Sequence, residues 1–383
     1  MNPSFKFYEF FCGGGMARAG LGQHWECVFA NDFDPKKADS YKSNWGTGAI
    51  KLGDVALVKA EELPGQADLA WASFPCQDLS LAGMGAGLKG DRSGTFWPFW
   101  RKIQALKVEN RSPKVIVLEN VCGALTSHEG KDFTAICRAL KNEGYKFGAI
   151  VMDAADFVPQ SRPRLFIIGV QNELAVLDYL LTTKPDPKWH TDALVKAYSK
   201  LDKATKNSWV WWNIPYPPSR QQNLSDIVEE KPSTVVWHTQ NETKRLIELM
   251  SAVNLAKLKK AKQQKALKVG TIYRRTRKNP DGTKSQRAEI RFDDIAGCLR
   301  TPTGGSSRQI IMVVNGQSVR SRLLSSREAA RLMGLSDDYK LPKNYNDAYH
   351  LLGDGVAVPV VSHIATNILE PILSNIEKAK KAA

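Results

Sequence analysis

The sequence contains few cysteines, and their spacing matches neither a metal site nor a disulfide scaffold. The six cysteines among 383 residues are scattered, with no Cys-x-x-Cys pair and no clustered histidines. This spacing argues against a zinc site and is typical of a reducing cytoplasm. No uninterrupted apolar stretch approaches the ~20 residues that a membrane helix needs, and residues 1–11 lack the parts of a signal peptide. We therefore expect a protein outside the membrane that uses no metal.

Positive charge is distributed unevenly along the chain. The net charge is +15. Between Gln171 and Arg322, 27 Lys and Arg stand against 14 Asp and Glu, a balance of +13. Almost the whole excess lies in this stretch, as expected of a surface that contacts phosphates. A solubilising surface would carry the same charge, so the charge suggests nucleic acid without identifying any chemistry.

The first 170 residues alternate short apolar runs with amphipathic stretches, which is the pattern of an α/β sheet protein. Strands are predicted at residues 6–11, 27–31, 68–73, 115–119, 148–153 and 164–170, with helices between them, for example at 16–21, 35–44 and 133–143. From residue 171 prolines interrupt the chain and tryptophans stand among polar residues. There we predict a basic helix over about residues 241–267, a turn at 279–282 and an amphipathic helix at 357–376.

These patterns predict three parts of the chain. Residues 1–170 would form an α/β domain, residues 171–345 a basic domain, and residues 346–383 a C-terminal helix that returns to the first domain. The periodicity alone would fit two unrelated sequential domains equally well.

A glycine turn follows the first predicted strand and leads into a helix. Three glycines in the segment Phe11-Cys12-Gly13-Gly14-Gly15-Met16 would let the backbone approach a ligand closely. The spacing is not Gly-x-Gly-x-x-Gly, so a dinucleotide is not indicated. Asp32 ends the second strand, where such folds hydrogen-bond a ribose, and Asp54 closes the next segment. Each acid could be a helix cap; together they favour a nucleoside-type cofactor.

Reactive residue types follow the later strands. One apolar strand delivers Pro75 and Cys76 to a glycine-rich loop, which could close over a substrate. Glu119 follows a second strand, and Arg162 and Arg164 begin another. The predicted fold brings this thiol, carboxyl group and pair of guanidinium groups to one edge of the sheet.

Together these motifs resemble the cytosine-C5 DNA methyltransferase family, over most of the chain and in the family's order. The matching segments are residues 9–15, Asp32, and residues 75–94, 119–121, 160–164, 327–334 and 353–356. Any one match could arise by chance, whereas several in order with suitable spacing are highly specific. The resemblance implies a class I S-adenosylmethionine-dependent methyltransferase fold, a Rossmann-like mixed sheet with helices on both faces. A smaller target-recognition domain would correspond to the basic stretch.

The family's reaction explains why these residue types are needed. Cytosine C5 is a weak nucleophile, and addition of a thiolate to C6 makes it enamine-like. The resemblance implies that Cys76 is this thiolate, that Glu119 contacts N3 and the exocyclic amine, and that Arg164 holds O2. Arg162 would support Arg164 or bind a phosphate, and Asn120 would position the proline-cysteine loop. The target base would be flipped out of the duplex, at a cost of a few kcal/mol.

The resemblance also implies the binding residues. S-adenosylmethionine, which leaves as S-adenosylhomocysteine, would contact Phe11, Cys12, Gly13, Gly15, Met16, Asp32, Phe33, Asp54, Val55, Pro75, Asp354 and Val356. Double-stranded DNA would contact Gln77, Ser80, Arg92, Arg274, Arg275, Arg300, Gly304, Gly305, Ser306 and Arg308. We expect a monomer of the bacterial cytoplasm or nucleoid, either paired with a separately encoded restriction endonuclease or acting alone.

The sequence departs from the family's pattern at three points. Met16 stands where many members have a further glycine, and Phe157 stands where a glycine usually precedes Val-Pro-Gln. Asp354 replaces the usual Asn of the last motif, which affects the expected polar contact to the methionine end of the cofactor. None of these positions is the proposed nucleophile or Glu119.

Three alternatives remain at the level of sequence. Asn213-Ile214-Pro215-Tyr216 resembles the motif with which amino-group methyltransferases hold an exocyclic nitrogen, although it lies far beyond the expected strand and would otherwise be a turn with a packed Tyr. A second alternative keeps the fold but makes the substrate RNA, as in the transfer-RNA members of the same family. The third is a DNA-binding protein without catalysis, which the complete motif set disfavours.

Overall fold

The computed structural model describes residues 5–75, 95–264, 266–301 and 308–382, with side chains through Ile376. The chain forms two compact units. The first comprises Met1–Asp153, Pro163–Pro217 and Val360–Ala383, and the second comprises Ala154–Arg162 and Pro218–Pro359. The boundary at Pro217 lies well beyond residue 170, and the predicted C-terminal part, residues 346–383, is divided between the two units.

The first unit is built on a seven-stranded sheet. Its strands are β1 (Phe5–Phe10), β2 (Trp25–Asp32), β3 (Ile50–Leu52), β4 (Leu69–Ala72), β5 (Val115–Val121), β6 (Tyr145–Asp153) and β7 (Pro163–Gln171), in the order β3-β2-β1-β4-β5-β7-β6. All neighbouring pairs are parallel except those of β7, which runs antiparallel to β5 and β6. Nearly every residue of the central strands is buried, as parallel sheets require. All six predicted strands are confirmed; β3 was missed because it is only three residues long.

Helices and a short ribbon complete the first unit. The helices are α1 (Met16–Leu21), α2 (Pro35–Trp45), α3 (Phe96–Val108), α4 (Lys131–Asn142), α5 (Asp192–Ser199) and α6 (Lys203–Lys206), and the ribbon pairs β8 (Leu181–Thr182) with β9 (Trp211–Trp212). Helix α2 begins where Asp34 caps it, accepting hydrogen bonds from the backbone N–H groups of Lys36 and Lys37. The three helices predicted in the first 170 residues are confirmed.

The tryptophan-rich segment after β7 belongs to the sheet unit because its backbone pairs with β6. The N–H of Phe147 donates to the carbonyl of Ser208, and the N–H of Val210 donates to the carbonyl of Phe147, each over 2.8 Å. Gly148 allows this approach, since a Cβ there would lie 2.1 Å from the carbonyl oxygen of Val210. Residues 171–217 therefore extend the sheet's hydrophobic core.

The second unit contains an antiparallel sheet of four strands. They are β10 (Lys268–Lys278), β11 (Lys284–Arg291), β12 (Ile310–Asn315) and β13 (Ser318–Leu323), in the order β11-β10-β12-β13. Its helices are α7 (Leu224–Ile227), α8 (Gln240–Glu248), α9 (Ala252–Lys262), α10 (Ser326–Leu332) and α11 (Tyr345–Asp354). The predicted turn at residues 279–282 is confirmed as the connection between β10 and β11, closed by a hydrogen bond from the N–H of Gly282 to Asn279.

The prediction of one basic helix over residues 241–267 is wrong. The chain forms α8 and α9 with a break between them. At the break the carbonyl of Leu249 accepts a hydrogen bond from Ala288 of β11, and Met250 enters the core of the second unit. The carbonyl of Leu249 therefore bonds to the sheet instead of to a following turn of the helix.

The C-terminal helix is confirmed at the predicted position. It consists of α12 (Val358–Ile364), a π-helical stretch (Ala365–Leu369) and α13 (Glu370–Ala382). By length and composition alone, the helical stretch Tyr345–Ile376 could cross a membrane. Asp354 and Gly355 interrupt the apolar residues of this stretch, which is why the sequence shows no long apolar run. In the structure 56% of its most apolar window is buried inside the protein, as in the core helix of a soluble protein.

Candidate active site

The glycine turn connects β1 to α1 and is fixed by backbone hydrogen bonds to β2. The N–H of Cys12 donates to the carbonyl of Asn31 over 3.0 Å, and the N–H of Gly13 donates to Oδ2 of Asp32 over 2.8 Å. Gly13 and Gly15 adopt φ values of +53° and +78°, which favour glycine. The turn and the acid predicted to serve the cofactor therefore form one hydrogen-bonded structure.

Asp32 is the acidic centre of this structure. It is buried, and its Oδ1 accepts a hydrogen bond from the N–H of Asp34 over 2.9 Å. Burial raises the pKa of the Asp32 carboxyl group. The neighbouring Phe33 is 76% exposed, so it offers a flat apolar surface beside the turn.

The second predicted acid, Asp54, follows β3, which pairs with β2 beside Asp32. The N–H of Gly53 donates to the carbonyl of Asp32 over 2.9 Å. Asp54 follows, and its side chain caps the short helix Val55–Leu57 through the N–H of Ala56. Val55 is buried beneath this cap. Asp54 therefore acts as a helix cap. It directly follows Gly53, whose backbone is hydrogen-bonded to Asp32.

Two residues beside the turn were not among the predicted site residues. Glu9, which precedes the turn on β1, is fully buried, and this burial raises its pKa to about 8. Trp45 ends α2, and its indole N–H donates to the carbonyl of Gly14 over 3.0 Å. Sequence reasoning had no signal for Trp45, because a tryptophan at a helix end is usually a packing residue. Glu9 fell within the motif of residues 9–15 but was assigned no role.

The predicted catalytic carboxyl group and one of the arginines form an ion pair. Glu119 lies on β5 and Arg164 on the adjacent antiparallel strand β7, where Val121 pairs with Arg164. Nε of Arg164 is 3.3 Å from Oε1 of Glu119, and the two side chains are 14% and 8% exposed. The low exposure strengthens this interaction relative to a surface pair. The arginine thus holds the carboxylate in a defined orientation.

Asn120 links this pair to the segment that leads to the proposed nucleophile. Its Nδ2 donates to the carbonyl of Phe74 over 3.2 Å, and its Oδ1 accepts from the N–H of Val121 over 2.8 Å. The side chain of Asn120 is buried. Asn120 therefore fixes the backbone immediately before Pro75. Cys76, Gln77, Ser80 and Arg92 lie outside the described residues.

Arg162, which was expected to support Arg164 or to bind a phosphate, has its observed hydrogen-bond partners elsewhere. It is buried in the second unit, where its guanidinium group donates to the carbonyls of Leu299, Gly353 and Gly355 over 2.6–2.9 Å and to Sγ of Cys298 over 3.3 Å. Because its terminal nitrogens donate to backbone carbonyls, this guanidinium group holds those backbone segments in place. Arg162 therefore joins these backbone segments of the second unit, and its expected support of Arg164 or of a phosphate stays a prediction.

The other predicted residues of the last motif lie in the second unit as well. Oδ1 of Asp354 accepts a hydrogen bond from the hydroxyl group of Thr301, and Val356 is buried. The carboxylate that replaces the family's Asn thus has a hydrogen-bond partner within its own unit.

The predicted DNA-contacting arginines do not carry equally available charge. Arg277 forms two hydrogen bonds with Glu289, of 2.5 and 2.8 Å, and Nε of Arg275 lies 3.4 Å from the same carboxylate. Arg308 donates to Asn346, and Arg300 lies over the ring of Tyr273. Arg274 is half-buried on β10. Gly304, Gly305 and Ser306 lie outside the described residues.

The residues of the alternative motif at 213–216 make hydrogen bonds within the first unit. Asn213 donates through its side chain to the carbonyl of Tyr179, and the carbonyl of Ile214 accepts from the indole N–H of Trp189. The hydroxyl group of Tyr216 donates to Asp186, and its ring contacts that of Trp189. These contacts give the segment a structural role, but the expected packing of Tyr216 is not observed, since this residue is 63% exposed. Among the described residues, no cluster of three or more His, Cys, Asp or Glu could hold a metal ion.

Comparisons with known proteins agree with this geometry. The family model for C-5 cytosine-specific DNA methylases matches residues 5–370. Type II methyltransferase M.Bsp6I of Bacillus sp. (strain RFL6) is 27% identical over 371 residues, which cover 95% of this chain and 98% of that protein. Type II methyltransferase M.HhaI of Haemophilus parahaemolyticus is 25% identical over 368 residues, covering 95% and 94%.

Solved structures share the fold. The Dnmt2 methyltransferase of S. pombe superimposes with a TM-score of 0.60 at 16% identity, covering 97% of this chain and 99% of that one. The methyltransferase EhMeth of Entamoeba histolytica gives a TM-score of 0.59 at 14% identity, covering 97% and 99%. These likenesses support the predicted methyltransferase fold. Because the family model covers almost the whole chain, from the glycine turn to the C-terminal helix, this protein belongs to the C-5 cytosine-specific DNA methylase family.

Proposed function

We propose that this DNA cytosine-C5 methyltransferase acts on a flipped cytosine through Cys76, Glu119 and Arg164. The Cys76 thiolate adds to C6 while Glu119 holds N3 and the exocyclic amine, so that C5 becomes nucleophilic. Arg164 orients Glu119 and contacts O2 of the base. The single observation that carries the proposal is the ion pair between the buried Glu119 and the partly buried Arg164, together with the hydrogen bond from Asn120 to the carbonyl of Phe74. After C5 has bonded to the transferred methyl group, loss of the C5 proton and elimination of the Cys76 thiolate restore the aromatic ring.

The residues at the glycine turn fit S-adenosylmethionine. A turn of three glycines admits a ligand close to its backbone, and the exposed ring of Phe33 could stack on an adenine. Asp32 and Asp54 supply acidic groups at the same edge, where a ribose and an exocyclic amine would find acceptors. When bound, this cofactor supplies the methyl group as a methylsulfonium. The chain's contribution is to orient that group and the base.

The first test is methyl transfer itself. Duplex DNA or transfer RNA is incubated with tritiated S-adenosylmethionine and the methylated base is identified. We expect 5-methylcytosine in DNA, and loss of transfer in Cys76→Ser because a serine hydroxyl group is a far weaker nucleophile at C6. Cys122→Ser is the matched control, because it makes the same exchange at a partly buried cysteine to which the proposal gives no role. Methyl-adenine, exclusive labelling of RNA, or full activity in Cys76→Ser would refute the proposal.

The second unit supplies the basic surface, and we propose that it recognises a target sequence in double-stranded DNA. Helix α9 exposes Lys257, Lys259 and Lys260, and β10 carries the arginines described above. Lysine and arginine on an exposed face are the residue types that bind phosphates without reading sequence. We further propose a monomer of the bacterial cytoplasm, with a separately encoded restriction endonuclease of matching specificity.

Salt dependence tests this surface. Arg274→Gln combined with Arg275→Gln is expected to weaken binding to every DNA alike and to reduce the slope of log K against log salt by about 2. The control is Arg291→Gln combined with Asp293→Gln, which removes a separate ion pair of the same unit without changing the net charge. Fluorescence anisotropy between 50 and 200 mM salt, on the order of the range where such contacts are screened, measures both. A loss confined to one sequence would contradict the assignment to phosphate.

A further inference from the structure

Trp45 lies against the glycine turn from the side of α2. Its Nε1 donates to the carbonyl of Gly14 over 3.0 Å. A Cβ at Gly15 would lie 2.3 Å from this nitrogen and 2.8 Å from the adjacent ring carbon. The indole ring therefore occupies the space beside Gly15, and it contacts the turn by both a hydrogen bond and close packing.

Arg18 holds the indole ring from a second direction. Its guanidinium carbon lies 4.9 Å from the centre of the Trp45 ring, within the range of a cation–π interaction. The same group donates to the hydroxyl group of Tyr41 over 2.9 Å, one helical turn before Trp45 on α2. The backbone N–H of Arg18 faces Oε1 of the buried Glu9 at 3.4 Å. The indole is thus clamped between the turn and a guanidinium group that α1 and α2 both fix.

The hydrogen bond from Trp45 sets the orientation of a peptide plane. With the carbonyl of Gly14 held, the N–H of Gly15 in the same plane points to the carbonyl of Cys12, which it contacts at 2.8 Å. Three consecutive glycines otherwise have wide conformational freedom. A ligand that bound such a free turn would have to order it, and that ordering would weaken the affinity.

We propose that Trp45 is a positioning residue that preorganises the glycine turn for S-adenosylmethionine. This inference rests on the proposed cofactor site. Trp45 acts through the turn, so it affects the affinity for the cofactor and not the chemistry at the cytosine. It contributes to binding of S-adenosylmethionine and of S-adenosylhomocysteine alike, because both would dock on the same turn.

The test is titration calorimetry of both ligands against the unmodified protein and Trp45→Phe. Phenylalanine keeps an aromatic ring but removes the N–H donor, so we expect both dissociation constants to rise about 3- to 10-fold, the equivalent of one lost hydrogen bond. KM for the cofactor should rise in parallel, while kcat at saturating cofactor and the affinity for DNA stay unchanged. The matched control is Trp211→Phe, which changes a half-buried tryptophan of the short ribbon in the same unit.

The outcomes separate this inference from the proposed function. If the unmodified protein binds neither ligand, the cofactor site itself is wrong. If it binds both and Trp45→Phe binds them within twofold of the same affinity, or loses kcat at saturating cofactor, the positioning role is overturned. Should Trp45→Phe fail to fold, Arg18→Met removes the cation from the ring while leaving the indole N–H. It should weaken both ligands by a smaller factor, and unchanged affinity in that variant would contradict the clamp.

Discussion

Glu119→Gln is expected to lower kcat for methyl transfer to DNA by about 10²- to 10³-fold, the usual cost of removing one preorganised electrostatic contact. Glutamine keeps the size of the side chain but carries no charge, so it neither stabilises a protonated N3 nor pairs with Arg164. The dissociation constant of S-adenosylmethionine should not change, because the glycine turn lies at the end of β1 while Glu119 lies on β5.

Single-turnover measurement of tritium transfer to duplex DNA, with cofactor binding measured separately, tests this expectation. Glu143→Gln serves as the control, since Glu143 follows α4 and pairs with Lys107 away from the proposed chemistry. Because Glu119 and Arg164 act as one pair, Arg164→Lys in the Glu119→Gln background should add less than it does alone. Additive losses, or a rate within a few-fold of the unmodified protein, would remove Glu119 from the mechanism.

Arg322→Met is expected to destabilise the second unit by about 3–5 kcal/mol, which is the cost of leaving one partner of a buried ion pair. Arg322 and Glu328 are fully buried, and two hydrogen bonds of 2.6 and 2.7 Å join them. Glu328 also accepts the N–H groups of Ser325 and Glu229, each over 2.7 Å. Methionine fills the space but leaves this carboxylate without its counter-charge.

Chemical denaturation followed by circular dichroism measures the free energy of unfolding. The control is Arg331→Met, whose partner Asp337 is 60% exposed. That pair is screened by solvent, so its loss should cost less than about 1 kcal/mol. Equal losses in the two variants would mean that burial of the pair does not determine its contribution.

The strands and the proximity of Glu119 to Arg164 were predictable from local sequence. Apolar runs of β-branched and aromatic residues define the buried strands of a parallel sheet. The polar residues that end those strands must meet at one edge, so Glu119 and Arg164 could be expected to lie together. Their ion pair forms because β7 runs antiparallel beside β5, so that strand pairing brings residues far apart in sequence side by side.

Other features depended on contacts that no local pattern encodes. The pattern of residues 241–267 predicted one helix. In the structure it is divided after Glu248, because the carbonyl of Leu249 accepts a hydrogen bond from Ala288 of β11. In the sequence, Arg275 and Arg277 cannot be distinguished from the other cationic residues. In the structure, both pair with Glu289 across the β10–β11 hairpin. Arg162 matched a motif by sequence, whereas its hydrogen bonds go to backbone carbonyls distant along the chain.

The sequence by itself determined the class of fold and the family, and it predicted the chemistry at Cys76 and the residue types that would serve it. These depend on residue identity and on the spacing of strand ends, both of which can be read along the chain. Only the tertiary structure decided that residues 171–217 join the sheet, that Arg162 holds backbone segments in place and that Trp45 clamps the glycine turn. Each of these depends on a backbone carbonyl that accepts a hydrogen bond from a residue of another element. Every residue has a backbone carbonyl, so the sequence does not show which carbonyls take part.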